Sequence, residues 1–126
     1  SVELRHPQLE VLDLMEQQLQ LAVSQLSQRQ LTTAIEKLSD YPPVNFDERC
    51  IAVAEQATRA LGYSSRPMVS GAGHDACFVS RVAPTAMIFI PCVKGISHNE
   101  AEAITPDWAS KGANELLHTV LQSANQ

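Results

Sequence analysis

The chain has 126 residues, of which 44% are hydrophobic and 18% are charged, a composition that suits one small domain or parts of two. It excludes disordered, collagen-like and fibrous proteins. Because the net charge is −5 and the basic residues are scattered, we expect no nucleic-acid partner. The apolar runs are far shorter than the roughly 20 residues of a membrane span. Since no leader pattern opens the sequence either, we expect a cytoplasmic protein without a membrane partner.

Residues 1–41 predict a strand, a helix and a second strand. Residues 2–6 alternate apolar and polar side chains, which is typical of a short half-buried strand. Apolar residues recur at steps of three and four over residues 8–30 and predict one amphipathic helix. Residues 31–41 contain neither glycine nor proline and favour a strand. This order of elements is half of a small α/β or ferredoxin-like unit.

A proline pair, Pro42–Pro43, follows these elements. Because two prolines resist both a helix and a central strand, we place a linker at residues 42–45 and a domain boundary there. Beyond the linker, Asp47 is a good N-cap for a helix that runs to Leu61. Gly62 can supply the left-handed residue at the end of that helix.

The middle of the chain predicts short alternating elements. Residues 66–69 favour a strand, residues 70–75 form a glycine loop with the sequence SGAGHD, and residues 75–82 favour a short helix. Residues 86–90 form an uninterrupted apolar run. Such a run is typical of a strand that is covered on both faces, as in a parallel sheet.

The last predicted element is a helix capped by Thr105, with Pro106 at its first position. Its apolar residues predict one buried stripe, made of Ala109, Leu116, Leu117, Val120, Leu121 and Ala124. Together, the strands and helices predict an α/β fold.

Two loops that follow predicted strands carry the residues of chemical interest, because ligands of α/β proteins bind at the carboxyl ends of strands. In the first loop, glycines on both sides of Ala72 would let backbone N–H groups approach an anion or a carbonyl closely. His74 and Asp75 add a titratable donor and an acceptor. The alternative is an ordinary glycine turn before a helix, and the residues alone leave both interpretations open.

The second loop places His98, Asn99, Glu100 and Glu102 within five residues. Imidazole is the commonest zinc ligand, and carboxylates often complete such sites. One histidine does not make a zinc site, however, and a solvated polar loop is the alternative.

We expect little chemistry from the remaining candidate residues, which are one histidine and three cysteines. His118 is expected to be a surface residue of the last helix, and Cys50 and Cys77 to be inert thiols in helices. Cys92 follows the apolar run beside the second loop and could line a site there. The three cysteines lack the spacing of a metal site, so we expect reduced thiols.

Five segments occur in an order that resembles a known family. They are ELRHPQLEVLD (3–13), YPPVNFD (41–47), MVSGAGHDA (68–76), APTAMIFIP (83–91) and GISHNEAE (95–102). Together they resemble the carboxy-terminal part of the amidohydrolases that include N-carbamoyl-L-amino-acid hydrolase, allantoate amidohydrolase and β-ureidopropionase. These enzymes belong to the M20 group of dinuclear zinc aminopeptidase-like proteins.

The resemblance implies a division of the chain into two parts. Residues 1–41 would be the last strand–helix–strand of a lid or dimerisation domain, and residues 46–126 the closing α/β segment of a catalytic domain. The implied activity is metal-dependent hydrolysis of a linear C–N bond in an N-carbamoyl amino acid or allantoate. A stand-alone dimerisation or interaction module without catalysis is the alternative.

The resemblance also implies roles for individual residues. Arg5 matches the arginine that clamps the substrate carboxylate, a task that suits a planar bidentate donor. The residues that match the loop at the amide or ureido end of the substrate are Gly71, Ala72, Gly73 and His74. His98 matches a metal-ligand histidine.

The implied cofactor is a pair of divalent metals, expected to be zinc, in each full-length subunit. The general-base glutamate and the other metal ligands of the family would lie in an amino-terminal part that this sequence does not contain. We therefore expect this chain alone to bind no zinc tightly and to be inactive. The implied assembly is a homo-oligomer, most simply a dimer, that contacts through residues 8–30 or the flanking strands.

Overall fold

The computed structural model describes residues 1–27 and 31–125. It contains helices α1 (Leu9–Ser27), α2 (Glu48–Ala60), α3 (Ala76–Val79) and α4 (Pro106–Ala124), and a 3₁₀ turn at Val93–Gly95. The chain divides into two compact units. The first comprises Ser1–Asn45 with Val69–Gly71, and the second comprises Phe46–Met68 with the described residues from Ala72 onward.

The first unit is built on α1. The predicted helix is confirmed over Leu9–Ser27, while the rest of its predicted length, residues 28–30, lies outside the described residues. Lys37 connects the segment after α1 back to the helix, because its Nζ lies 2.8 Å from Oε2 of Glu16 and 2.8 Å from Oδ2 of Asp40. Hydrogen bonds to Asp40 and Glu16 raise the pKa of Lys37. Homodimerisation through α1 stays a prediction.

The predicted strands are wrong for the described residues. Residues 2–6, 31–41, 66–69 and 86–90 contain neither helix nor strand. A strand exists only when its N–H and C=O groups bond to a neighbouring strand, and no two described segments form such a ladder. Side-chain alternation shows that a segment is compatible with a sheet, but it cannot supply the partner. The described residues are therefore helical rather than α/β.

The caps of α2 confirm the predicted boundaries of this helix. The Asp47 carboxylate accepts hydrogen bonds from the backbone N–H groups of Arg49 and Cys50, both at 3.0 Å. The bond from Cys50 is the main reason why the pKa of Asp47 lies below its usual value. Gly62, just after the helix, has a φ of 70°, as predicted. The N–H of Asp47 also donates to the carbonyl of Thr85 at 3.0 Å, which fixes the start of α2 to the apolar run.

The core of the second unit lies where α2 packs against α4. Among the described residues, the buried ones are Val53, Ala57 and Thr58, all on α2. Thr58 is 1% exposed, and its hydroxyl lies 2.7 Å from Oε1 of Glu115 and 2.8 Å from the carbonyl oxygen of Ala54. Its single proton is thus shared between an acceptor on α4 and one on its own helix.

The start of α4 is as predicted, but its buried stripe is not. Thr105 caps the helix by accepting from the Trp108 N–H at 3.2 Å, and Pro106 is the first residue. Four residues of the predicted stripe are at least half exposed, namely Leu116, Leu117, Val120 and Leu121. A different face is half-buried, formed by Gly112, Glu115, Thr119 and Gln122 at steps of three and four. Small and hydrogen-bonding residues occupy this face because α4 approaches α2 and the apolar run closely.

Gly112 shows how close that approach is. A Cβ atom at this position would lie 2.7 Å from Cγ2 of Ile90. The β-branched Ile90 side chain is stiff at its first torsion and cannot easily move this methyl group aside. A glycine in the middle of a helix is therefore explained here by packing, despite its low helix propensity.

We predict that Gly112→Ala destabilises the protein. The substitution gains about 1 kcal/mol of helix propensity, but forcing an extra methyl into a packed contact costs about 1–3 kcal/mol. The expected net result is a lower free energy of unfolding, measured by urea denaturation. Ser110→Ala, at an exposed position of α4, is the control and should not destabilise. In an Ile90→Ala background the clash is absent, so Gly112→Ala should then stabilise, and a loss in that background would contradict the explanation.

Candidate functional site

In the first unit, Arg5 lies beside Gly71. Its Nε and Nη2 atoms are 2.8 Å and 2.6 Å from the same oxygen, Oε1 of Glu3. A Cβ atom at Gly71 would lie 4.0 Å from the remaining nitrogen, Nη1. The structure therefore brings together two of the residues that the resemblance assigns to substrate binding.

This geometry leaves part of the guanidinium available. The Arg5 side chain is 56% exposed, and Glu3 engages only its Nε–Nη2 edge. The Nη1 group faces a residue without a side chain, so a planar anion could reach it. A guanidinium can hold a carboxylate through two parallel N–H bonds. The arrangement is thus chemically suited to a carboxylate ligand.

In the second unit, His74 lies just before α3 and acts as its cap. Its Nδ1 accepts the backbone N–H of Ala76 at 3.1 Å. Because a backbone amide can only donate, the neutral ring carries its proton on Nε2, which is then a donor. Asp75 makes no side-chain cap bond, and α3 is shorter than the predicted helix over residues 75–82. Turns continue the helical path as far as Ala83, whose N–H donates to the Val79 carbonyl at 3.0 Å.

Gly73 and Ala72, which the resemblance also assigns to the substrate loop, differ in burial. Gly73 is exposed, and a Cβ atom there would meet nothing within 4 Å. Ala72 is half-buried. Packing does not require a glycine at position 73. The assignment of Gly73 and Ala72 to a substrate site stays a prediction.

His98 lies in a loop that we call the His98 loop, residues 92–103. A backbone bond of 2.8 Å from Val93 N to Ala103 O closes the loop. Lys94 and His98 both have left-handed backbones, with φ of 57° and 54°. Non-glycine residues rarely adopt this conformation, and they do so where the surroundings hold them.

Glu102 connects three parts of the His98 loop. Its Oε2 accepts the backbone N–H of His98 at 2.8 Å, and its Oε1 lies 3.6 Å from Sγ of Cys92. Partial burial and the Glu102 carboxylate raise the pKa of the Cys92 thiol. In the sequence, Glu102 is recognisable only as one carboxylate of this loop. The signal for its role is a glutamate four residues after a candidate ligand, a distance that lets the carboxylate reach back.

In the His98 loop, the candidate metal donor is the imidazole of His98. The His98 side chain is exposed and makes no hydrogen bond within the described part of the chain. No group of three or more histidine, cysteine, aspartate or glutamate side chains in residues 1–27 and 31–125 could hold a metal ion. The imidazole therefore fits the role of one ligand in a site completed by other residues. The assignment of His98 as a metal ligand stays a prediction.

The other candidates show no site. His118 is exposed on α4, as expected. Burial, followed by the nearby Asp47 carboxylate, raises the pKa of the Cys50 thiol.

Within the described residues, no helix has the length and apolar character that crossing a membrane would require.

We predict that Cys92 reacts with iodoacetamide near pH 8 more slowly than a thiol with an ordinary pKa does. A raised pKa leaves less of the thiol as the reactive thiolate at a given pH. Glu102→Gln removes a negative charge and should lower the pKa of Cys92, so alkylation should become faster while burial keeps part of the elevation. Mass spectrometry can follow the rate against pH, with Glu100→Gln as the matched control in the same loop. Equal rates in Glu102→Gln and the unsubstituted chain would contradict the assigned cause.

Comparison with known proteins supports the resemblance found in the sequence. The model of peptidase family M20/M25/M40 matches residues 9–122. The chain is 51% identical over 89 residues to N-carbamoyl-L-amino-acid amidohydrolase from Rhizobium meliloti, covering 71% of this chain and 21% of that protein. It is 34% identical over 103 residues to allantoate amidohydrolase from Bacillus subtilis, covering 81% of this chain and 25% of the relative.

A solved structure agrees with these relatives. The crystal structure of a hydantoinase/carbamoylase family amidase from Burkholderia multivorans superposes with a TM-score of 0.93 at 47% identity. The match covers 97% of this chain and 30% of the amidase. The chain thus spans about a fifth to a third of the length of these relatives. Because the family match extends over most of the sequence, the chain belongs to peptidase family M20/M25/M40.

Proposed function

We propose that this chain is a segment of an amidohydrolase that cleaves the linear C–N bond of an N-carbamoyl amino acid or of allantoate. Its relatives carry the names of both activities. The structural observation that carries the proposal is the Arg5 guanidinium beside Gly71, since both substrates present a carboxylate. The reaction adds water across the carbamoyl C–N bond: the nitrogen takes up a proton and leaves as the amine, and the carbonyl carbon takes up the hydroxyl and leaves as carbamate.

Arg5 would bind the substrate carboxylate. The Glu3 carboxylate holds one edge of the guanidinium at 2.6–2.8 Å, which restricts its rotation. The Nη1 atom, on the side of Gly71, is then the donor that a ligand meets. Binding at a fixed guanidinium orients the substrate before the reaction, which lowers the entropic part of the barrier.

His74 would contact the ureido or amide end of the substrate. Because its Nδ1 is occupied by the Ala76 N–H, its Nε2–H is the group that can donate to a carbonyl oxygen. A donor at this oxygen stabilises the negative charge that develops there as water attacks.

His98 would hold a divalent metal as one of its ligands. Such a metal activates water and polarises the carbonyl when it is bound. Zinc sites use about three or four protein ligands, and the described residues supply one candidate imidazole. We therefore propose that the 126-residue chain alone holds no metal tightly and has no hydrolase activity.

The test is an assay of the whole protein that carries this chain. We expect amine release from N-carbamoyl-L-amino acids or from allantoate, and loss of this release on removal of divalent metal with a chelator. Absence of turnover on both substrate classes, with metal supplied, would contradict the proposed function.

We predict that Arg5→Lys raises KM for carboxylate substrates about tenfold or more, equivalent to ~1.4 kcal/mol. Lysine keeps the charge but loses the planar two-bond geometry. An N-carbamoyl alkylamine without a carboxylate should show no such increase in KM. Arg66→Lys is the control, since Arg66 is exposed and makes no ion pair within the described residues. Equal KM values for Arg5→Lys and the unsubstituted enzyme would refute the carboxylate role.

A further inference from the structure

The His98 loop contains a carboxylate whose position is not explained by surface solvation. Both oxygens of Glu102 point into the loop, one toward the His98 N–H at 2.8 Å and one toward Cys92 Sγ at 3.6 Å. The neighbouring carboxylate Glu100 is exposed and makes no hydrogen bond or ion pair within the described residues. Two glutamates of the same loop therefore have different surroundings.

The left-handed backbone of His98 requires a stabilising contact, which the hydrogen bond to Glu102 provides. Its φ of 54° places it in the left-handed region, which a residue with a Cβ atom seldom adopts. An imidazole has only two side-chain torsions, so the backbone conformation largely decides which positions its nitrogens reach. A residue that holds this backbone thus also limits where the ring can be.

The other hydrogen bonds of the loop act elsewhere. Val93 N to Ala103 O, at 2.8 Å, joins the two ends of the loop. Asn99 bonds to the residues after it, through Oδ1 to Ala101 N and through its carbonyl to Glu102 N, both at 2.9 Å. Within the described residues, the hydrogen bond that His98 itself makes is the one from its N–H to Oε2 of Glu102.

We propose that Glu102 is the positioning residue for His98. Its carboxylate fixes the left-handed backbone of His98 and so presents the imidazole to a divalent metal without reordering of the loop. The inference rests on the proposed function in one respect, namely that His98 is a metal ligand. It adds a residue that acts through the backbone of the ligand rather than on the metal.

The first measurement needs no metal. Solvent exchange of the His98 amide proton, followed by NMR in the metal-free whole protein that carries this chain, should be slow in the unsubstituted protein and at least about tenfold faster in Glu102→Ala, because the amide loses its acceptor. Glu102→Gln keeps an acceptor oxygen and should restore most of the protection. Glu100→Gln should change nothing. Equal exchange in Glu102→Ala and the unsubstituted chain would overturn the proposal.

The second measurement is the zinc affinity of the whole protein that carries this chain, by competition with a chromogenic chelator. Loss of a residue that orients a ligand typically weakens metal binding about 10–100-fold. We expect this weakening of zinc binding in Glu102→Ala and a smaller weakening in Glu102→Gln. Glu100→Gln should bind zinc as tightly as the unsubstituted protein. If His98→Ala weakens zinc binding and Glu102→Ala does not, the positioning role is wrong and the proposed function stands. If His98→Ala has no effect either, both are overturned.

Discussion

The hydroxyl of Thr58 is the contact on which the second unit depends. It is the buried polar group between α2 and α4, and its proton is shared by Glu115 of one helix and Ala54 of the other. A buried hydroxyl without acceptors would be strongly unfavourable. The Ala54 carbonyl alone would satisfy the hydroxyl, but the bond to Glu115 is the one that joins the two helices, and it forms only in the register that places Glu115 opposite Thr58.

That register also sets the position of the apolar run before the His98 loop. With Glu115 opposite Thr58, Gly112 lies one turn earlier on α4 and receives the Ile90 side chain. At the other end of the run, the Thr85 carbonyl accepts the N–H of Asp47, the cap of α2. The run is thus held at both ends, and the loop that begins at Cys92 starts from a defined point.

The sequence predicted those elements whose ends are set by local chemistry. Asp47 and Thr105 cap the helices that they were expected to cap, and Gly62 has the left-handed backbone expected after α2. The strands could not be predicted correctly, because residues 2–6 and 86–90 carry a strand-like pattern but find no strand partner among the described residues.

The inward face of α4 and part of the candidate site could not be predicted either, because they depend on contacts between segments that are distant in the sequence. Apolar spacing pointed to the leucines of α4. The inward face instead contains Gly112, which leaves room for Ile90 of the apolar run, and Glu115, which accepts from the buried Thr58 hydroxyl. Neither requirement can be predicted from hydrophobicity. For the site, motif resemblance named Arg5 and Gly71, which do lie together. It did not assign a role to Glu102, because Glu100 and Glu102 both lie close to His98 in the sequence, and this closeness does not show which of the two bonds to the His98 N–H.

A double-mutant cycle between Thr58 and Glu115 tests most directly the hydrogen bond that joins α2 to α4. Thr58→Val removes the hydroxyl at constant shape, and Glu115→Met removes the acceptor at similar volume, with the free energy of unfolding measured for both single variants and the double variant. A hydrogen bond to a charged group contributes about 1.5–3 kcal/mol, so the double variant should lose less stability than the two single losses together, by roughly this amount. Additive losses, within about 0.3–0.5 kcal/mol, would show that the two side chains do not interact and would contradict the account.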